Sequence, residues 1–240
     1  MLTVVLRSKW IARVLAAMAF LAASRVSASD HLVPTEPHGD GYQDNVHLVL
    51  RDAFQPAVRV RAFAEPSFRP EFAVGVKEAA GRYAIFFLEP SRQIWDFTVL
   101  KEMKRGHIRS DSTAKDIKRL EAKLPPDPKA LPVKKCEADI DAALGERLID
   151  VWTLMLAHVH PDEHPDISGV DGANYYFSAG PKRKAPDAST WSPDPISNPG
   201  KLVAIVYTMK GYCTTKASKF LDTLNAVSGE LQQDLRGQAR

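Results

Sequence analysis

The chain has 240 residues, of which 45% are hydrophobic and 25% are charged, a balance that excludes a wholly disordered or collagen-like protein. Its two cysteines are too few for a disulfide-dense scaffold or a four-thiolate zinc site. The chain has a net charge of +3, and residues 1–28 hold four of its 32 basic side chains and no acidic one. The other residues hold 28 basic and 29 acidic side chains, a net charge of −1. The positive charge therefore belongs to the first segment, and we expect no nucleic acid partner.

Residues 1–28 have the three parts of an export signal. Basic residues come first, at Arg7, Lys9 and Arg13. An apolar segment follows over 14–23, and Val26-Ser27-Ala28 then supplies the small residues that a signal peptidase requires, so that Ser29 is the predicted first residue of the mature chain. The apolar segment would span about 15 Å as a helix, half of a bilayer core of about 30 Å. We therefore predict a cleaved signal peptide, a periplasmic or secreted product and no stable membrane insertion; an uncleaved anchor is the alternative.

The next part of the chain predicts a helix and three strands. Residues 29–43 are polar and turn-prone and predict a flexible tail. A helix is predicted over 44–54, because Asp44 is a typical N-cap and apolar residues follow at helical spacing. Runs of aromatic and β-branched residues predict strands over 58–63, 72–76 and 83–88, the last two forming a hairpin.

The segment 101–135 is strongly basic, with eleven Lys or Arg residues against five acidic ones. An amphipathic helix is predicted over 110–124, and a proline-rich extended connector follows it. Helical periodicity then predicts a long helix from Ala138 to Pro161. The remaining predicted elements are a strand over 173–177, a loop over 179–199, helices over 200–212 and 217–227, and a polar C-terminal tail over 231–240.

Strands that cluster early, with one late strand among helices, predict the α+β class. The expected architecture is a small antiparallel sheet packed against three to four helices, in a single domain over 44–230. In an oxidising compartment, Cys136 and Cys213 are expected to form a single disulfide. Two buried free thiols or a redox pair are the alternatives, although neither cysteine lies in a Cys-x-x-Cys motif.

Several short motifs of aromatic, glycine and proline residues lie between residues 56 and 213. They are Pro66-Ser67-Phe68-x-Pro70-Glu71, Gly75, Trp152-x-x-Met155-Leu156, Asp171-Gly172-x-x-Tyr175-x-Phe177, Trp191-Ser192-Pro193 and Tyr212-Cys213. Together they resemble a group of uncharacterised exported bacterial proteins. The resemblance implies a secreted or periplasmic single domain and provides no catalytic residue.

A histidine-rich segment contains the only motif with a metal-site spacing. His160-x-x-Glu163-His164 matches the H-x-x-E-H pattern of inverted zincins, and His158 lies just before it. That chemistry requires one helix, so that residues four apart converge on zinc. A proline directly follows each histidine of the motif, which disfavours a helix. We interpret the segment as a polar helix end; the alternative is a zinc or copper site of His158, His160, Glu163 and His164.

Three further residues are candidates for a binding rim: Asp171, Tyr175 and Trp191. The structural alternative is that Asp171 begins a tight turn into a strand and that Trp191 fills the core beneath a polar loop. The basic stretches 101–109, 115–123 and 182–184 are typical of solvated surface. The functional alternative is that they bind lipopolysaccharide, an anionic glycan or an acidic protein.

No catalytic residue is predicted, because no serine lies in a Gly-x-Ser-x-Gly elbow and no glycine-rich phosphate loop is present. We therefore expect an exported, non-enzymatic protein without a cofactor that binds a protein or a cell-envelope component. The alternative is a metal-binding protein or metal-dependent hydrolase that uses the histidine-rich segment.

Overall fold

The computed structural model describes residues 31–35, 41–107, 114–161, 172–180 and 187–238. Seven strands of this part form one sheet in which all neighbours are antiparallel. They are β1 (Val33–Pro34), β2 (Val58–Pro66), β3 (Phe72–Ala79), β4 (Arg82–Pro90), β5 (Val133–Ile140), β6 (Ala173–Ala179) and β7 (Ala188–Trp191). Their order across the sheet is β1-β7-β6-β2-β3-β4-β5.

Six α-helices are described, and with the sheet they confirm the α+β class. They are α1 (Tyr42–Val49), α2 (Trp95–Lys104), α3 (Ala114–Glu121), α4 (Ala142–Ala157), α5 (Asn198–Thr215) and α6 (Ser218–Gln238). Two short 3-10 helices, Arg51–Phe54 and Pro128–Ala130, complete this set. None of the described helices is both long enough and apolar enough to cross a bilayer.

The central strands are apolar on both faces, because Phe72, Val74 and Val76 of β3 alternate with buried Ala73 and Gly75. A sheet of this kind must be covered on both sides. On one face, α4, α5 and α6 enclose the larger core around side chains such as Trp152, Phe177 and Met209. On the other face, α1 and α2 enclose a smaller core around Tyr42, Phe86 and Leu131. We call this second side the basic face, because the basic segment 101–135 contributes to it.

The long helix predicted from Ala138 begins later than expected. Residues up to Ile140 belong to β5, and the helix α4 starts at Ala142, where the Asp141 carboxylate accepts a hydrogen bond from the Leu144 backbone amide (2.8 Å). The prediction was wrong here because Ala138 and Ile140 fit helical and strand periodicity equally well. The ladder with β4 decides for the strand, and the Asp141 N-cap sets the start of the helix.

Both predicted tails are shorter than expected. Leu32 is fully buried, and Val33 and Pro34 pair with Ser189 and Ala188 of β7, so these three residues are held by the fold rather than lying in a flexible segment. At the other end, α6 continues to Gln238 and buries Leu231 and Leu235.

Helical spacing explains the correction at the C-terminus, since the buried residues of α6 are Leu224, Ser228, Leu231 and Leu235. This stripe packs into the larger core.

The predicted loop over 179–199 also needs correction, because it contains β7.

The predicted disulfide is confirmed. Cys136 in the edge strand β5 is bonded to Cys213 in α5, with Cα atoms 5.8 Å apart and a sequence separation of 77. Two side chains close to this bond cover the outer edge of β5. The Tyr212 hydroxyl donates to the Asp139 carbonyl oxygen (3.1 Å), and the Lys216 ammonium donates to the Glu137 carbonyl oxygen.

Glu71 fixes the start of α2 through a buried carboxylate. It is 1% exposed and accepts hydrogen bonds from the backbone amides of Ile94 (2.6 Å) and Trp95 (2.9 Å) and from the Tyr42 hydroxyl (3.1 Å). Loss of hydration raises the pKa of this carboxyl above its ordinary value, against the effect of the donors. The carboxylate therefore acts as a remote cap for the first backbone amides of the helix.

Candidate functional site

A cleft opens on the basic face between α1, the two 3-10 helices and the paired strands β4 and β5. Its volume is about 200 Å³. Its lining consists of Val49, Arg51, Asp52, Leu88, Lys129, Leu131, Val133 and Lys135. We call it the basic cleft. Four of these residues are apolar, three are cationic and one is acidic, so cations outnumber the single carboxylate.

The local sequence explains how these side chains meet. β5 pairs with β4 so that Lys135 lies opposite Leu88, and directly opposite residues of an antiparallel pair project to the same face. Lys129 lies in the 3-10 helix Pro128–Ala130, whose start is fixed by the Asp127 carboxylate accepting from the Lys129 backbone amide (2.9 Å). Arg51 and Asp52 begin the other 3-10 helix, directly after α1.

One ion pair organises the charges of the basic cleft. The Lys135 ammonium donates to the Asp52 carboxylate, with 2.6 Å between Nζ and Oδ2. This hydrogen bond, with the positive charges of Lys135, Arg51 and Lys77, holds the pKa of Asp52 below its ordinary value. Asp52 is therefore ionised at neutral pH and offsets one of the three cations, which leaves the cleft with an excess of positive charge.

Further positive charge lies on α2 and α3, which pack together. The described part of 101–135 contains ten basic and four acidic residues. Some of these charges are paired, as in the ion pair between Lys104 and Glu121 (2.6 Å). Lys115, Lys118 and Lys123 are exposed to solvent.

The three cationic side chains of this arrangement suit the binding of an anion. Arg51 offers a planar fork of donors, and Lys129 and Lys135 offer ammonium groups. These groups bind phosphate or carboxylate oxygens. The lining holds no serine, cysteine, threonine or histidine, so no side chain of the usual hydroxyl, thiol or imidazole nucleophiles borders the cleft.

The structure gives the histidine-rich segment two described side chains, His158 and His160. His158 ends α4, and its Nδ1 lies 2.8 Å from the Leu154 carbonyl oxygen, to which it can only donate. The His160 backbone amide donates to the Leu32 carbonyl oxygen (3.1 Å). Glu163 and His164 lie outside the described residues. Within the described part of the chain, no three His, Cys, Asp or Glu side chains are grouped as metal ligands.

The predicted binding rim is not formed by Tyr175 and Trp191 together. Tyr175 pairs with Thr190, whereas Trp191 pairs with Asn174, so the two aromatic side chains project to opposite faces of the sheet. The Tyr175 hydroxyl lies 3.0 Å from that of Tyr207 on α5. Asp171, the third predicted member, lies outside the described residues.

Trp191 is half-buried and packs against a glycine at the start of β6. A Cβ added at Gly172 would lie 2.7 Å from Cζ2 of the indole ring. The absence of a side chain at this glycine therefore lets the ring approach the backbone closely. This contact gives the Trp191 ring a packing role at the start of β6, although the residue belongs to neither of the two described hydrophobic cores.

Sequence reasoning found the charge of the site but missed its location. Lys129 and Lys135 belong to the basic segment that the sequence singles out. Arg51 and Asp52 lie about eighty residues earlier, and no local pattern connects them with that segment.

Comparison with known proteins finds no matching family model, no similar curated protein and no similar solved structure.

Proposed function

We propose that the chain is an exported, non-enzymatic protein that binds a phosphate-bearing glycan of the cell envelope in the basic cleft. The observation that carries this proposal is the grouping of Arg51, Lys129 and Lys135 around one cleft with a single carboxylate, Asp52. Export rests on the predicted signal peptide, with which a disulfide between Cys136 and Cys213 is compatible.

The size of the basic cleft supports a ligand that enters only in part. Its volume of about 200 Å³ is below the roughly 300–1,000 Å³ of sites that enclose a whole small molecule. One phosphorylated sugar unit suits this space better than a complete ligand. The rest of a polymeric glycan would extend beyond the cleft, where each screened contact with a surface lysine contributes about 1 kcal/mol or less.

Phosphate is favoured over a neutral sugar because of the charge excess. A phosphate group offers three acceptor oxygens and up to two negative charges, which match one guanidinium and two ammonium groups. The pKa of Asp52 is already low, so this carboxylate remains charged and repels the ligand. Removal of the Asp52 charge should therefore strengthen binding rather than weaken it.

The proposal is tested by calorimetric titration of the mature protein with lipopolysaccharide and with the same lipopolysaccharide after removal of its phosphates. We expect saturable binding only to the phosphorylated form, weakening with added salt, and recovery of the ligand chemically unchanged. Lys129→Glu should weaken binding, whereas Asp52→Asn should strengthen it by up to about fivefold, equivalent to about 1 kcal/mol.

A matched control is available on the opposite side of the sheet. Lys219 is exposed near the start of α6, so Lys219→Glu makes the same charge change far from the basic cleft. Equal effects of Lys129→Glu and Lys219→Glu would show that the ligand responds to net charge alone. That result, or equal affinity for the dephosphorylated glycan, would contradict a specific site in the cleft.

A further inference from the structure

The turn between β2 and β3 holds a large apolar side chain in solvent. Phe68 is 79% exposed, so its ring contributes nothing to the cores of the fold. The turn is nevertheless fixed through Ser67, whose backbone amide and hydroxyl both donate to the Gly172 carbonyl oxygen (3.0 and 2.9 Å). The Gly172 amide in turn donates to the Ser67 hydroxyl oxygen (3.2 Å). The fold therefore holds this turn in place and leaves its ring exposed.

A second exposed aromatic side chain follows a segment that contacts this turn. The Gln93 side-chain nitrogen donates to the carbonyl oxygens of Ser67 (3.4 Å) and Arg69 (3.3 Å). Trp95 comes two residues later, at the start of α2, and is 41% exposed. Hydrogen bonds thus tie together the two segments that carry the rings of Phe68 and Trp95.

Cationic side chains belong to the same two segments. Arg69 follows Phe68 in the turn, Arg92 lies at the start of the second segment, and both are exposed. Lys123 is exposed after α3 and lies in the same area, because it acts on the same carboxyl as Arg92. Burial raises the pKa of Asp96, and the positive charges of Arg92 and Lys123 oppose this rise. Three cations and two exposed rings are therefore grouped with one partly buried carboxyl.

This combination is typical of surfaces that adsorb to lipid. Aromatic rings are favoured between the headgroups and the acyl chains of a bilayer, and lysine and arginine are attracted to anionic headgroups. A glycan could stack on an indole ring but offers no apolar interior for an exposed phenyl ring. A protein partner would need a pocket of matching shape. A bilayer accepts the protruding rings and the neighbouring cations together.

We propose a docking surface for an anionic phospholipid bilayer, which we call the aromatic patch and which consists of Phe68, Arg69, Arg92, Trp95 and Lys123. Adsorption would involve these side chains and no membrane-spanning segment. The aromatic patch shares no residue with the lining of the basic cleft, so this proposal goes beyond glycan binding and does not depend on it.

The test measures flotation of the mature protein with vesicles of phosphatidylcholine alone and of phosphatidylcholine mixed with phosphatidylglycerol. We expect binding only to the anionic vesicles, with release at high salt. Tryptophan emission should shift to shorter wavelength on binding, because the Trp95 indole leaves water. Trp95→Phe should keep most of the binding and lose most of this shift, since Trp152 is fully buried and Trp191 is packed at the start of β6.

Two variants and two matched controls test the rings and the cations separately. Phe68→Ser should weaken partitioning into the vesicles by about tenfold, and Arg92→Gln should weaken it by about fivefold. Ile196→Ser removes another highly exposed apolar side chain (81%), in the loop before α5, and Lys219→Gln removes an exposed cation of α6. Both controls should bind as the wild type does, and circular dichroism verifies that each variant is folded.

Three results would overturn the proposal. The first is equal binding to neutral and anionic vesicles, and the second is an equal loss of binding in Phe68→Ser and Ile196→Ser. The third is a wild-type dimer in sedimentation analysis that Phe68→Ser converts to a monomer, because a second copy of the chain would then occupy the aromatic patch.

Discussion

Removal of the disulfide between Cys136 and Cys213 should cost a large part of the stability of this protein. The bond closes 77 residues. In the chain-entropy description, a loop of this length restricts the unfolded state by about 4.5 kcal/mol. Typical domains have a total free energy of unfolding of roughly 5–15 kcal/mol, so the double variant Cys136→Ala/Cys213→Ala should unfold at a much lower urea concentration.

The assay is equilibrium urea unfolding of the oxidised protein, the reduced protein and the double variant. The reduced protein and the variant should lose similar amounts of stability, because both lack the cross-link. Only the variant also lacks the sulfur atoms, so a similar loss would show that the cross-link matters more than the packing of sulfur. Both should also show a steeper dependence on urea, since an unlinked chain exposes more surface on unfolding. A loss below about 1 kcal/mol in the reduced protein would refute the loop-entropy argument.

Three other substitutions test the packing described above, each by urea unfolding. Glu71→Gln should lower the free energy of unfolding by about 1–3 kcal/mol, because an amide nitrogen cannot accept a hydrogen bond from a buried backbone amide. Because burial raises the pKa of Glu71, the free energy of unfolding of the wild type should rise as pH falls through the folded-state pKa. A Glu71→Gln variant that keeps this rise would contradict the assignment. Gly75→Ala should lower the free energy of unfolding by about 1–3 kcal/mol, because the added Cβ would lie 2.1 Å from the Val60 carbonyl oxygen. As a control, Gly229→Ala, at a position where an added Cβ meets no other atom within 4 Å, should leave the stability unchanged or raise it. Leu231→Ala should cost about 2–5 kcal/mol, and a near-zero effect would restore the idea of a C-terminal tail.

The sequence predicts the central strands well, because their composition leaves few alternatives. Both β3 and β4 contain several aromatic or β-branched residues, and the chain between them is a short turn with Gly81 at a φ of 74°. Such segments read as a hairpin without any knowledge of the rest of the fold. The buried stripe of α4, with Trp152 at its centre, is equally clear.

The edge strand β5 is a different case. Its sequence, from Val133 to Ile140, exposes Lys134, Lys135, Glu137 and Asp139, so it lacks the continuous apolar run of a central strand. Only its pairing with β4 determines that these residues are extended. Local sequence therefore assigned its first half to a connector and its second half to a helix.

The basic cleft could not be located from the sequence for a related reason. Its charge is visible in the segment 101–135, but its shape depends on contact with Arg51 and Asp52 after α1. That contact follows from how the two 3-10 helices pack around β4 and β5. The tail residue Leu32 was missed similarly, because one buried leucine among polar neighbours gives no periodic signal.

The covered edge of β5 has a consequence for how separate molecules behave. Tyr212 and Lys216 occupy carbonyl oxygens that an incoming strand would need, and β1, at the opposite border, is only two residues long. Neither border of the described sheet offers a long free ladder for fibril growth or strand exchange between copies. Strand addition between two copies is therefore disfavoured at both borders of the described sheet.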